Sequence, residues 1–417
     1  MKVSRPVLWT LLAAVAAASM SFYTVKIWSA NQPSQFSDLY ATWWAAHELF
    51  LHRRNPYSPA VAHEIQTVIY GAPSKPSPND PAGIGGGFAY PPYAAFLAWP
   101  IILVSFPAAQ KIFLGISILA TLSSIWFWMQ ALRFRVTPPL FCILAIFTLG
   151  SFPALQAIKL QNPSLIAAAF IAVALFLLST DRLILAGIFL AASTFKPQFV
   201  ILLIPWLALW AIASWRKRGA LLWSFLASMF VLCLTSQWLI PGWISSFLGV
   251  VRAYRHYTYG HSLLDVWFRS NGEFFAAGIV IAVVAYCWRY RSQPAGSLAF
   301  SRVISLLLAA TLVVIPTLAP HAQLLLIPGF FCLLRDRSAL PANTPARLSS
   351  AAWVLLAWPW IAALGLLLPS LMIPHAALLQ FWQLPLYVSP VLPLALLCAL
   401  ASALHARSFD TVTPVPD

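Results

Sequence analysis

What most limits how this chain can fold is a near-unbroken succession of apolar runs, at residues 7–28, 93–106, 112–132, 140–157, 165–178, 183–195, 199–213, 221–240, 274–288, 303–318, 323–334, 351–373 and 386–404. A helix of about 20 apolar residues crosses the hydrocarbon core of a bilayer. A chain that is 61% hydrophobic and 8% charged lacks the polar surface to cover a soluble globule. The expected fold is an all-α polytopic membrane protein, a bundle of roughly 11–13 transmembrane helices in one membrane domain over residues 1–417. Several middle runs are only about 13–16 residues long, so the number of crossings between residues 93 and 213 stays open.

Charge sets the expected orientation. Lys2 and Arg5 precede the first run, which is longer than a signal-peptide core and ends at Lys26 and Trp28, residues suited to an interfacial anchor. A retained signal-anchor helix with its N-terminus inside follows. The net charge of +15 is spread in short clusters, notably Arg216-Lys217-Arg218, Arg289 with Arg291, and Arg335 with Arg337. Such clusters mark cytoplasmic loops and give no support to nucleic-acid binding. Residues 30–92 then form a first external loop, 241–272 a second, and 405–417 a cytoplasmic tail. In the first loop an aromatic-rich pattern after Phe36 predicts an interfacial helix to Leu51, Ala60 to Tyr70 a second short helix, and Gly71 to Gly87 a flexible, turn-rich stretch.

The first loop is also where the acids gather. Of ten carboxylates, Asp38, Glu48, Glu64 and Asp80 fall there, with His47, His52, His63 and two arginines. An aspartate in such a loop is often only a helix cap. Held near the bilayer surface among aromatics, however, Asp38 can act as a general base toward an acceptor hydroxyl attacking a sugar carbon. One base suffices when the leaving group is already a phosphate, whereas hydrolases commonly use two opposed carboxylates. A phosphate leaving group needs cations, and the expected outer-face candidates are Lys159, Lys196, Arg252, Arg255 and His321. A lone Lys beside an apolar run is commonly a snorkelling anchor. Lys159 and Lys196 differ in being followed by amides and a proline, in Lys159-Leu160-Gln161-Asn162-Pro163 and Lys196-Pro197-Gln198, a pattern of broken helices lining a polar cavity. The second external loop adds Tyr254, His256, Tyr257, Tyr259, His261, Asp265 and Arg269. Cysteines 142, 233, 287, 332 and 398 lie singly in apolar runs, with no spacing for a metal site or a disulfide.

Taken in order, Asp38-Leu39-Tyr40, Arg54-Asn55-Pro56-Tyr57, Ala89-Tyr90-Pro91-Pro92, the Gln161-Asn162 turn, Lys196-Pro197-Gln198 and Ala319-Pro320-His321 resemble glycosyltransferase family 87 over nearly the whole chain. The resemblance implies a GT-C-like bundle and an inverting transfer of a sugar, mannose first among candidates, from a polyprenyl-phosphate donor to a glycan or glycolipid acceptor. It implies a bacterial inner (plasma) membrane location with the active site outside, Asp38 as base, and a donor-phosphate site of Lys196, Gln198, His321, Lys159 and Arg255. Tyr40, Arg54, Tyr57, Tyr90, Gln161 and Asn162 are then the substrate-binding candidates. No metal ligand is assigned and no cofactor is certain, although a divalent metal is compatible with the transfer. Two departures stand out: Leu160 occupies a position usually glycine in the family, and Arg54 one that is often small.

The rival class is a lipid or polysaccharide transporter or flippase without transferase activity, also apolar and proline-rich. Transporters often show repeated halves with ionisable residues at mid-membrane. No internal repeat is evident here, and the polar residues concentrate on one face. An O-antigen-ligase-like enzyme would share the donor but usually carries its large functional loop late in the chain.

Overall fold

Backbone inside a bilayer must satisfy its own hydrogen bonds, and apolar runs do so as helices. The computed structural model describes residues 5–31, 37–257, 262–315, 319–337 and 344–410. Lys2, Phe36, Tyr259, His261, Pro316 to Leu318 and the last residues of the tail lie outside the described residues, as do the side chains of Arg5, His256 and Tyr257. Among the described residues there is no strand, only helix, turn and one isolated bridge between Ser77 and Asp80. This is an all-α polytopic membrane protein.

Among the described residues, five helical stretches are long and apolar enough to cross a membrane: Pro6–Asn31, Phe106–Ala131, Trp215–Leu239, Leu263–Trp288 and Pro345–Leu371. The pair Pro138–Leu149 and Phe152–Lys159, bent by 56°, makes a sixth if it is one broken span. The other apolar runs become shorter helices, Ser164–Ser179, Leu183–Ser193, Leu203–Ile212, Leu298–Val314 and Leu392–His405. The first long stretch comprises α1 (Arg5–Phe22) and a π turn, Tyr23–Trp28. Next come α2 (Asp38–His52), α3 (Pro59–Tyr70), α4 (Ala94–Ala98), α5 (Phe106–Ala131), α6 (Pro138–Leu149), α7 (Phe152–Lys159), α8 (Ser164–Ser179) and α9 (Leu183–Ser193). Then follow α10 (Pro197–Val200), α11 (Leu203–Ile212), α12 (Trp215–Leu239), α13 (Trp243–Tyr257), α14 (Leu263–Phe268), α15 (Gly272–Trp288) and α16 (Leu298–Val314). A 3-10 turn, Pro320–Leu326, leads to α17 (Ile327–Asp336), α18 (Thr344–Leu367), α19 (His375–Leu378) and α20 (Leu392–Asp410).

One row of contacts runs α5, α8, α9, α12; another joins α6, α1, α18, α20 and α16. The bend between α6 and α7 has local causes. Pro153 sits in the first turn of α7, where it removes the backbone bond that would continue α6, and Ser151 caps the new helix by accepting from Ala154 N at 3.4 Å. At the bend α1 comes so close that a Cβ on Gly150 would meet Ala17 Cβ at 2.4 Å.

The basic clusters assemble at one end. The Arg218 guanidinium donates to the carbonyls of Trp210, Arg291, Ser292 and Gln293 at 2.9–3.1 Å. Arg335 donates to Leu132 O at 2.6 Å and pairs with Asp336, which also holds the buried Arg302. Arg133 packs against Gly296, linking the two groups.

The segment between α1 and α4 is better held than its composition predicts. α2 is not merely laid on a surface, since Leu39, Trp43, Ala45, Ala46, Glu48 and Leu49 are buried against neighbouring helices. The stretch 71–87 is pinned, against the expected flexibility. The buried Gln66 amide donates to Gly83 O and Gly85 O at 2.8 and 2.6 Å and accepts from Ser74 N at 2.8 Å, while the Asp80 carboxylate receives Ile84 N and Gly85 N.

Candidate active site

Two breaks in the helical path create the site. The first ends α7. Gln161 takes φ 54, its N–H bonds Ile158 O at 3.1 Å, and Asn162 N bonds Ala157 O at 2.8 Å, the paired bonds of a Schellman turn. A left-handed non-glycine residue costs about 1–2 kcal/mol, offset here by what the turn contacts. Leu160 itself has φ −78 and is unstrained. The second break, before Pro197, leaves Lys196 between two apolar helices.

These breaks meet at the start of α2. Leu160 O receives Asp38 N at 2.8 Å, and Gln161 Oε1 receives the Ser37 hydroxyl at 2.5 Å and Gln110 Nε2 at 3.2 Å. The Asn162 amide joins the two charged groups: Nδ2 donates to Asp38 Oδ2 at 2.5 Å, while Oδ1 accepts from Lys196 Nζ at 2.8 Å and from Ser164 N and Oγ. The donors on Oδ1 fix which way the amide points. Lys196 is buried, at 3% exposure, and its ammonium lies 5.4 Å from the ring centres of both Tyr90 and Phe199. Burial pushes the Lys196 ammonium down to about 8, although Asp38 opposes the shift. Burial raises the Asp38 carboxyl above its ordinary value, with Lys196 and the Asn162 bond acting the other way. His321 completes the group. Its N–H donates to Gln156 Oε1 at 2.9 Å, its buried Nδ1 has no partner among the described residues, and burial with the Lys196 charge drives its pKa well down. It is therefore a neutral imidazole with a free polar atom.

Beside this polar group an apolar cavity of about 450 Å³ runs between α4, α5, α8 and α9, lined by Tyr90, Pro163, Phe170 and Phe195 among others. Its other wall includes Leu97, Ile116 and Leu119, which are exposed on the apolar surface of the bundle, so the cavity opens sideways.

Of the residues expected from the sequence, Asp38, Asn162, Lys196, Tyr90, Gln161 and His321 come together. Others do not. Tyr57 is buried with its hydroxyl on Tyr90 O at 2.6 Å, so it positions the Tyr90 strand of chain from the side. Tyr40 stacks on Trp44 and meets Phe106 edge-on, and Arg54 bridges Glu48 and Glu64 at 2.6 Å each, forming a separate network. Lys159 is exposed, Gln198 is half-buried, and Arg255 pairs with Glu273 at 2.9 Å on an exposed surface. Asp265 forms a capping box with Ser262. Ser164, Gln110 and Gln156 also belong to the site; the places of Gln156 and Ser164 beside the first break are a sequence signal for them, whereas Gln110, near the start of α5, has none.

The family model of glycosyltransferase family 87 matches residues 88–316, more than half of the chain. The chain belongs to that family. The glycosyltransferase match covers Tyr90, Gln161, Asn162 and Lys196, while Asp38 and His321 lie to either side of it. No curated protein and no solved structure matches this glycosyltransferase.

Proposed function

We propose that this family 87 glycosyltransferase moves a sugar from a polyprenyl-phosphate donor to an acceptor hydroxyl, with inversion, on the outer face of the plasma membrane. The observation that carries the reading is the Asp38–Asn162–Lys196 bridge beside a cavity open to the lipid-facing surface. An isoprenoid chain suits the apolar cavity, its phosphate suits the ammonium of Lys196 and, in the tautomer protonated at Nδ1, the free N–H of His321, and the sugar then lies toward Asp38. Asp38 takes the proton of the acceptor hydroxyl as that oxygen bonds to the anomeric carbon. The bond from that carbon to the phosphate oxygen breaks, and polyprenyl phosphate leaves with its charge met by Lys196. A raised Asp38 pKa makes the carboxylate a stronger base at neutral pH. Mannose is the first sugar to test, and a glycan or glycolipid the first acceptor.

The outer location is supported by the separation of polar and basic ends. Gln110, beside the site, and Leu132, at the basic cluster, are joined by α5 and lie about 33 Å apart at 1.5 Å per residue, roughly one hydrocarbon thickness. Reconstitution with radiolabelled polyprenyl-phosphate sugars tests the activity. Labelled product of inverted anomeric configuration is expected, and Asp38→Asn should lower turnover about 10²- to 10⁴-fold while donor binding survives. Sugar carried across the bilayer without transfer, or a retained configuration, overturns the reading.

A further inference from the structure

The far end of α2 carries a second polar cluster that the transfer does not use. His47 Nδ1 and His52 Nδ1 each lie 3.1 Å from Glu48 Oε1, and the three ligand atoms fall within 4.8 Å of one another. Ligands about 2.0–2.2 Å from a tetrahedral zinc ion stand about 3.4 Å apart, so small side-chain shifts would admit an ion at their centre. We propose that His47, Glu48 and His52 bind a first-row divalent cation, zinc by preference, with a fourth position open to water.

Several features fit an ion at this place. Glu48 is buried, and its other oxygen, Oε2, is held by Arg54 at 2.6 Å, which leaves Oε1 for single-oxygen ligation with an outer hydrogen-bond partner. Glu64 in turn holds Arg54 at 2.6 Å and accepts from Trp44 Nε1 at 2.9 Å. The two carboxylates Glu48 and Glu64 face the one guanidinium of Arg54, an excess of one formal negative charge before the histidines are counted. A divalent cation answers that charge. The His47 ring is oriented by stacking on Trp44, with centroids 5.2 Å apart and planes 9° from parallel. The His52 side chain is 53% exposed and offers a path for entry. Two imidazoles and one carboxylate with an open position form a donor set that zinc takes readily. His47 is nine residues from Asp38, about 14 Å along the helix, so the ion touches no reacting atom. Its effect is to fasten the last turn of α2 to the Arg54 link with α3.

The test uses the full chain in detergent, purified without a polyhistidine tag and stripped with chelator. Titration with Co²⁺ should give one bound ion per chain with tetrahedral visible absorption. Zn²⁺ should displace it and raise the thermal unfolding midpoint. His52→Ala and His47→Ala should each weaken Co²⁺ binding more than the roughly 10- to 100-fold typical of losing an outer-shell partner. If His47→Ala fails to fold, the half-exposed His52 position decides alone. A wild-type protein that binds no Co²⁺, or binding unchanged by His52→Ala, overturns the proposal and leaves the cluster as a hydrogen-bonded pair of histidines on a glutamate.

Discussion

At the scale of single residues, the site is defined by one amide with two charged neighbours. Asn162 holds Asp38 and Lys196 in register, and the burial that surrounds them moves both toward their neutral forms. The proposed mechanism needs Asp38 deprotonated and Lys196 protonated. Because the carboxyl is raised, the acid limb of kcat/KM should lie above the ordinary carboxylate range. Lys196 is charged below about 8 and neutral above it, so donor capture should fall as pH rises through that value. The kcat/KM profile reports the free enzyme and is the measurement to make. Lys196→Arg, whose guanidinium stays charged, should abolish the alkaline limb even though its bulk lowers the absolute rate. An unchanged alkaline limb in that variant would remove Lys196 from the donor site.

At the scale of elements, the breaks matter more than the helices. Gly150, at the 56° bend between α6 and α7, is where α1 touches the chain that leads into the Gln161 turn. Gly150→Val has no room and should destabilise the protein by about 1–3 kcal/mol, seen as a lower unfolding midpoint in detergent. Gly115→Ala on α5, where a Cβ meets nothing within 4 Å, should be neutral or slightly stabilising. Much of this level was legible beforehand. Prolines after Lys159 and Lys196 showed that both runs are interrupted, and Asp38 stood out because acids are scarce. What the sequence did not show was direction. Lys159 and Lys196 have similar flanks, yet the turn of α7 that buries Gln156 leaves Lys159 exposed, while the second break turns Lys196 inward. Likewise Tyr57 and Tyr90 were equal candidates for sugar contact. Only the fold shows that the Tyr57 hydroxyl is taken by the Tyr90 carbonyl, and that Arg255 is drawn off by Glu273. These partners are far apart in the chain, and no local pattern encodes them.

At the scale of the whole molecule, the polar site and the arginine clusters occupy opposite ends of α5. Single cysteines placed near Ser74 and near Lys217 in a cysteine-free background should label from opposite sides of intact cells or vesicles, Ser74 from outside. The reverse pattern would put the donor site on the wrong leaflet. The five long spans run to 25–27 residues each, or about 38–40 Å at 1.5 Å per residue, against a hydrocarbon core of about 30 Å. The surplus must be absorbed by tilt, by protrusion or by local thickening of the bilayer. Since α5 is a single strut from Gln110 to the carbonyl that holds Arg335, it cannot shorten to suit a thinner membrane. Acyl-chain length in the host lipid thus becomes a physical input to the protein, setting how deep the Asp38–Asn162–Lys196 group sits relative to the headgroups.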